Sequence, residues 1–139
     1  MPSVSMWTVR AALLWLLAAS ALGALILARG ALGNPEFAGY ILIHAEMMLV
    51  GWMMQLAMGV AHWILPRGRG GDGRGRGWPI ICVVLALNAG VIAVISGHPL
   101  VGRILETGAI VGFVLQGAPR IKAAGWGATG KEGDLVKLK

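Results

Sequence analysis

The stretch from Gly39 to Pro66, GYILIHAEMMLVGWMMQLAMGVAHWILP, contains no Lys or Arg and is too long and too apolar for an ordinary soluble core helix. About 20 residues, at roughly 1.5 Å of rise each, already cross the hydrocarbon of a bilayer, so this run reads as a membrane-spanning helix. Ionisable side chains at that depth are costly and face a packed interior or a ligand. His44, Glu46 and His62 therefore demand an explanation that a leucine would not.

The rest of the chain repeats the pattern. With 139 residues, 57% of them hydrophobic, and a mean hydropathy of +0.74, the chain has length for four spans in one small membrane domain, residues 1–117. Met1 to Arg10 reads as a short polar leader, and Ala11 to Ala28 as the first span. Arg10, the apolar run and the small residues near Ala28 also imitate a cleaved leader peptide, but the segment is read as a retained span. Gly30, Gly33, Asn34 and Pro35 break the chain before the second span, residues 39–65. Pro66 ends that span, and a Gly/Arg loop, residues 67–77, is too polar to pack. Trp78 to Ser96 is the third span, with Asn88 its one strongly polar side chain, and Cys82 reads as a buried, inert thiol. Gly97, His98 and Pro99 make a tight turn into a fourth span, residues 100–117, which carries Arg103 and Glu106. Residues 118–139 read as a tail with little stable structure.

The formal charge of +6 does not point to nucleic acid, because the basic residues sit in loops and the tail rather than among aromatics on one face. They instead encode topology and attract anionic lipid headgroups. Of the 12 Lys and Arg, only Arg29 and Arg103 fall on one side of a four-span layout. The positive-inside rule then places both termini and the Gly/Arg loop in the cytoplasm of a multi-pass inner-membrane protein. His44 lies in the outer half of the second span, His98 at the outer surface, and His62 near the cytoplasmic end.

His44 and His62 are 18 residues apart, close to five turns of an α-helix, so both project from one face together with Met48, Gly51 and Gln55. Such a stripe suits a haem: histidine ligates the iron, methionine lays flexible apolar contacts, and glycine admits the macrocycle. Glu46 points elsewhere and needs its own partner. A plainer account is available, since intramembrane histidines also hydrogen-bond between helices and Gly/Met stripes are common in close packing. His98 in a surface turn is solvated by default, and Arg103 can pair with Glu106 at i, i+3.

The run His44-Ala-Glu-Met-Met-Leu-Val-Gly51-Trp52, followed by Gly59 and His62-Trp63-Ile64-Leu65-Pro66-Arg67, resembles the second helix of the haem-copper oxidase subunit I superfamily. The likeness includes the nitric oxide reductases and their short relatives, and covers about 24 residues well. It implies an all-α membrane protein whose four transmembrane helices form one haem-copper-oxidase-like arc, completed by homo-oligomerisation, with a homotrimer preferred and a dimer next. It further implies that His44 is an axial ligand of a b-type haem, that Arg103 faces a haem propionate, and that a second ligand comes from another copy or from His98. Some short relatives carry a second histidine where this chain has Glu46. No copper-site histidine cluster is recognisable, so oxygen reduction by this chain alone is not expected.

The resulting expectation is a haem b protein that transfers electrons to a quinone or respiratory partner, or binds a diatomic gas. The alternative is a cofactor-free accessory or assembly subunit of a respiratory complex, for which Gly51, Gly59, Gly90 and Ala93 supply the packing surface equally well. A proton or ion conductor using His44, Glu46, Asn88 and Glu106 ranks third, because the third span carries too few polar groups.

Overall fold

The computed structural model describes residues 3–32, 39–65 and 78–125. Within these residues the chain is all-helical, with four helices long and apolar enough to cross a membrane. The elements are α1 (Ser3–Ala31), α2 (Ile41–Glu46), a π-helical segment (Met47–Met54), α3 (Gln55–Ile64), α4 (Trp78–Ile95) and α5 (Pro99–Gly125). Elements α2, the π segment and α3 run on as the single second span. The Gly/Arg loop and residues 126–139 lie outside the described residues.

Helix α1 begins at Ser3, eight residues before the start expected at Ala11. Two of the three hydroxyl residues of the supposed leader turn inward from this helix: Ser5 and Thr8 are 1% and 2% exposed, whereas Ser3 is exposed. Thr8 Oγ1 donates to the Val4 carbonyl at 2.9 Å, so the hydroxyl is satisfied within the helix that carries it. Polarity alone therefore misplaced the boundary. At about 1.5 Å per residue, the 29 residues of α1 reach roughly 43 Å, longer than the hydrocarbon core alone.

Helix α1 lies antiparallel against the second span. His44 meets Ala19 and Gly23, Gly51 meets Trp15, Gln55 meets Thr8, and Gly59 meets Thr8 and Val9. The second span stops where Leu65 swings to ψ 135°, the extended geometry forced on a residue that precedes a proline. The π segment is not visible in apolar spacing. Its i→i+5 hydrogen bonds widen the turn, so a five-turn count between His44 and His62 that assumes α geometry throughout does not hold through it. Contacts rather than arithmetic keep His44, Gly51, Gln55 and Gly59 on the α1 side.

Helices α4 and α5 form a tight hairpin. Gly97, at φ +86°, donates to the Val94 carbonyl at 3.1 Å, and His98 N–H donates to the Ala93 carbonyl at 2.8 Å. This pair of bonds closes the helix end around a left-handed glycine. The two helices then touch backbone to backbone: a Cβ placed on Gly90 would lie 3.0 Å from the Gly102 carbonyl oxygen. Helix α5 continues past the expected stop at Gly117, through Pro119, to Gly125. Gly117 and Pro119 look like breakers in sequence, but membrane helices tolerate an internal proline.

The core joins Met58 from the second span, Ile80, Val83 and Leu87 from α4, and Ala109 from α5. Cys82, expected to be buried, is exposed on the opposite face of α4. Its neighbour Val83 takes the inward position of that turn.

Candidate functional site

The second span presents two faces near its N-terminal end, and each holds a different kind of polar group. On the α1 side, His44 Nδ1 lies 2.9 Å from the Ala19 carbonyl oxygen. A carbonyl oxygen can only accept, so Nδ1 carries the hydrogen, and in the neutral ring the free lone pair is then on Nε2. The ring fits because residue 23 has no side chain: a Cβ on Gly23 would fall 2.8 Å from His44 Cε1. His44 itself is half-buried.

Further along this face, Gly51 is covered by Trp15, whose Cγ would lie 2.8 Å from an added Cβ. An indole thus packs directly on the glycine of this face. Trp15 Nε1 donates to Asn88 Oδ1 at 2.8 Å, and Asn88 Nδ2 donates to the Val84 carbonyl at 2.7 Å, so α1 and α4 are tied across the second span. Gln55, fully buried, donates to the Thr8 carbonyl at 3.3 Å. Met48 is half-buried, and His62 is buried toward the far end of the span.

The other face carries charge. Arg103 of α5 grips both oxygens of Glu46, with Nη1 to Oε1 at 2.9 Å and Nη2 to Oε2 at 2.5 Å. The same Nη1 also donates to Glu106 Oε2 at 2.7 Å, one turn along α5. The two carboxylate side chains are 5% exposed, whereas that of Arg103 is 55% exposed. A groove of about 680 Å³ opens beside them, lined by Leu42, Ile43, Glu46, Leu49, Pro99 and Arg103 among others. Bidentate pairing of this kind fixes geometry as well as charge.

Arg103 therefore binds two carboxylates of this chain, Glu46 and Glu106, and leaves about half of its side chain exposed. The i, i+3 pair with Glu106 follows from the spacing. The pair with Glu46 is the missing partner that Glu46 required, but it crosses 57 residues of sequence and no local pattern encodes it. The signal available was indirect: one arginine and one unexplained glutamate, each within a span. His98 sits exposed in the α4–α5 turn. Among the described residues, no three His, Cys, Asp or Glu side chains gather to cage a bare metal ion. No family model matches the chain, and no curated protein or solved structure does either.

Proposed function

We propose that this chain is an integral membrane protein that holds a b-type haem through His44 and uses it for electron transfer or diatomic gas binding. The observation that supports the reading is the bond from His44 Nδ1 to the Ala19 carbonyl. It sets the tautomer whose Nε2 lone pair can ligate iron, and a carbonyl behind a ligating imidazole raises its basicity and fixes its plane. A porphyrin supplies four nitrogen ligands of its own, so a single histidine suffices where three-residue metal cages are lacking. When bound, the haem would supply one-electron cycling of its iron. The protein would supply an oriented axial nitrogen, Met48 as a flexible apolar contact, and a water-poor setting. Gly51 would have to share its face with Trp15, and Arg103 would reach a haem propionate while holding Glu46 and Glu106.

The likeness of the second span to the haem-copper oxidase subunit I superfamily supports the same reading. So does the positive-inside assignment, which sets His44 in the outer half of the inner membrane with both termini cytoplasmic. One chain brings one well-placed histidine, and a homotrimer, or failing that a dimer, would bring a further ligand from a neighbouring copy. A quinone or respiratory partner would exchange the electron.

The filling of Gly51 by Trp15 favours a second reading, a cofactor-free accessory subunit in which His44 only ties the second span to α1. The visible spectrum of the detergent-purified, helical protein separates the two. A low-spin b-haem Soret band, lost on His44→Ala and kept on His62→Ala, is the expected result. A colourless folded protein establishes the accessory reading, and loss only on His62→Ala overturns the assignment of His44.

A further inference from the structure

Glu46, Arg103 and Glu106 amount to two acids and one base within the spans. If all three were ionised the cluster would hold a net charge of −1 at membrane depth, where the solvation penalty for an uncompensated charge is severe. The hydrogen bonds show which acid is compensated. Both oxygens of Glu46 accept from Arg103. Glu106 receives one such bond on Oε2, while its Oε1 is buried with no donor directed at it. Glu106 is 4% exposed and its Cγ is pressed against the helix α4 backbone, 2.7 Å from where a Cβ of Gly90 would stand.

The positive charge shown against Glu106 is that of Arg103, which Glu46 also holds. Helix α4 offers Gly90 and the apolar residues around it, with Cys82 on the outside of that helix. The second span offers Glu46, and α5 itself offers Arg103. His44 is turned to α1, and His98 lies exposed in the turn.

We infer that Glu106 is a proton-binding site, carrying one exchangeable proton that it takes up and releases through the groove beside Arg103. On release the O–H bond breaks, the proton passes to water in the groove, and the electron pair stays on the carboxylate. That carboxylate then competes with Glu46 for the half-exposed guanidinium, so the proton decides how Arg103 is shared. A bound cofactor plays no part in the inference.

The test is covalent labelling of the detergent-purified full chain with dicyclohexylcarbodiimide, an apolar reagent that reacts with protonated carboxyls, read out by peptide mass spectrometry from about pH 5 to about pH 9. Label is expected on Glu106 and not on Glu46, with the yield falling about tenfold for each pH unit beyond its midpoint. In Glu46→Gln, Arg103 has only Glu106 to neutralise, so the label at neutral pH drops about tenfold or more. Folding is checked by circular dichroism and gel filtration. If Glu46→Gln does not fold, the infrared carbonyl stretch of a protonated carboxyl in the parent protein decides: it is expected to shift in D2O and to vanish in Glu106→Gln. A folded parent with neither label on Glu106 nor that band overturns the inference, as does undiminished label in a folded Glu46→Gln.

Discussion

Replacing Arg103 with methionine keeps an unbranched side chain of similar reach and removes the cation. The guanidinium is half-exposed, so its own loss costs little; the expense falls on Glu46 and Glu106, which stay 5% exposed with no positive partner. Breaking a buried pair from one side destabilises by about 3 to 5 kcal/mol. Protonation of the orphaned acids and water in the adjacent groove relieve part of this, which sets the expectation at about 2 to 4 kcal/mol. Denaturant unfolding in detergent, followed by circular dichroism, measures it. Adding Glu46→Gln to Arg103→Met removes the orphaned charge of Glu46 and is expected to restore about 1 to 2 kcal/mol, a non-additivity typical of residues in contact. A single variant within about 0.5 kcal/mol of the parent would show that the ion pairs are ordinary surface pairs of little worth, and the account of the buried face would fail.

Two further outcomes follow from the α4–α5 hairpin and use the same unfolding measurement. Gly102→Ala puts a methyl group against Val94 and 2.7 Å from the Gly90 carbonyl oxygen, both on a neighbouring helix, and is expected to destabilise by about 1 to 3 kcal/mol. Gly97→Ala meets no atom within 4 Å but must adopt φ +86°, so its cost is conformational, about 1 kcal/mol, and helix content should be unchanged.

The spans were legible because an apolar run of membrane length with few charges has few alternatives, and the Gly97–Pro99 turn because glycine and proline restrict the backbone directly. Ser5 and Thr8 show why the first boundary was not legible: hydroxyl side chains are polar in a hydropathy profile, yet both are buried, Thr8 against Gly59 of the second span. The π segment was invisible because Met47–Met54 would be equally apolar in α geometry. Spacing put Gly51 on the histidine face, but whether a macrocycle or an indole fills the space above it depends on Trp15, which lies 36 positions earlier in the sequence. Glu46 announced that it needed a partner without identifying Arg103.

Stability does not account for why the second span carries His44 on one face and Glu46, two residues later, on another. A buried ion pair rarely outperforms hydrophobic residues of the same volume, because desolvation consumes most of the Coulomb gain. Leucine or methionine at positions 46, 103 and 106 would leave no charge to compensate. Leucine at 44 would dispense with the bond to Ala19, at the cost of the space that Gly23 leaves open. The chain instead keeps α1 thin at Gly23 to seat a ring, and keeps α4 thin at Gly90 to seat a carboxyl. Each glycine weakens a helix by about 0.5 to 1 kcal/mol relative to alanine. Two such concessions, each beneath an ionisable side chain of the bundle, are intelligible if what is retained is chemistry: an imidazole with a fixed lone pair on one face, and a carboxyl with an unshared oxygen on the other.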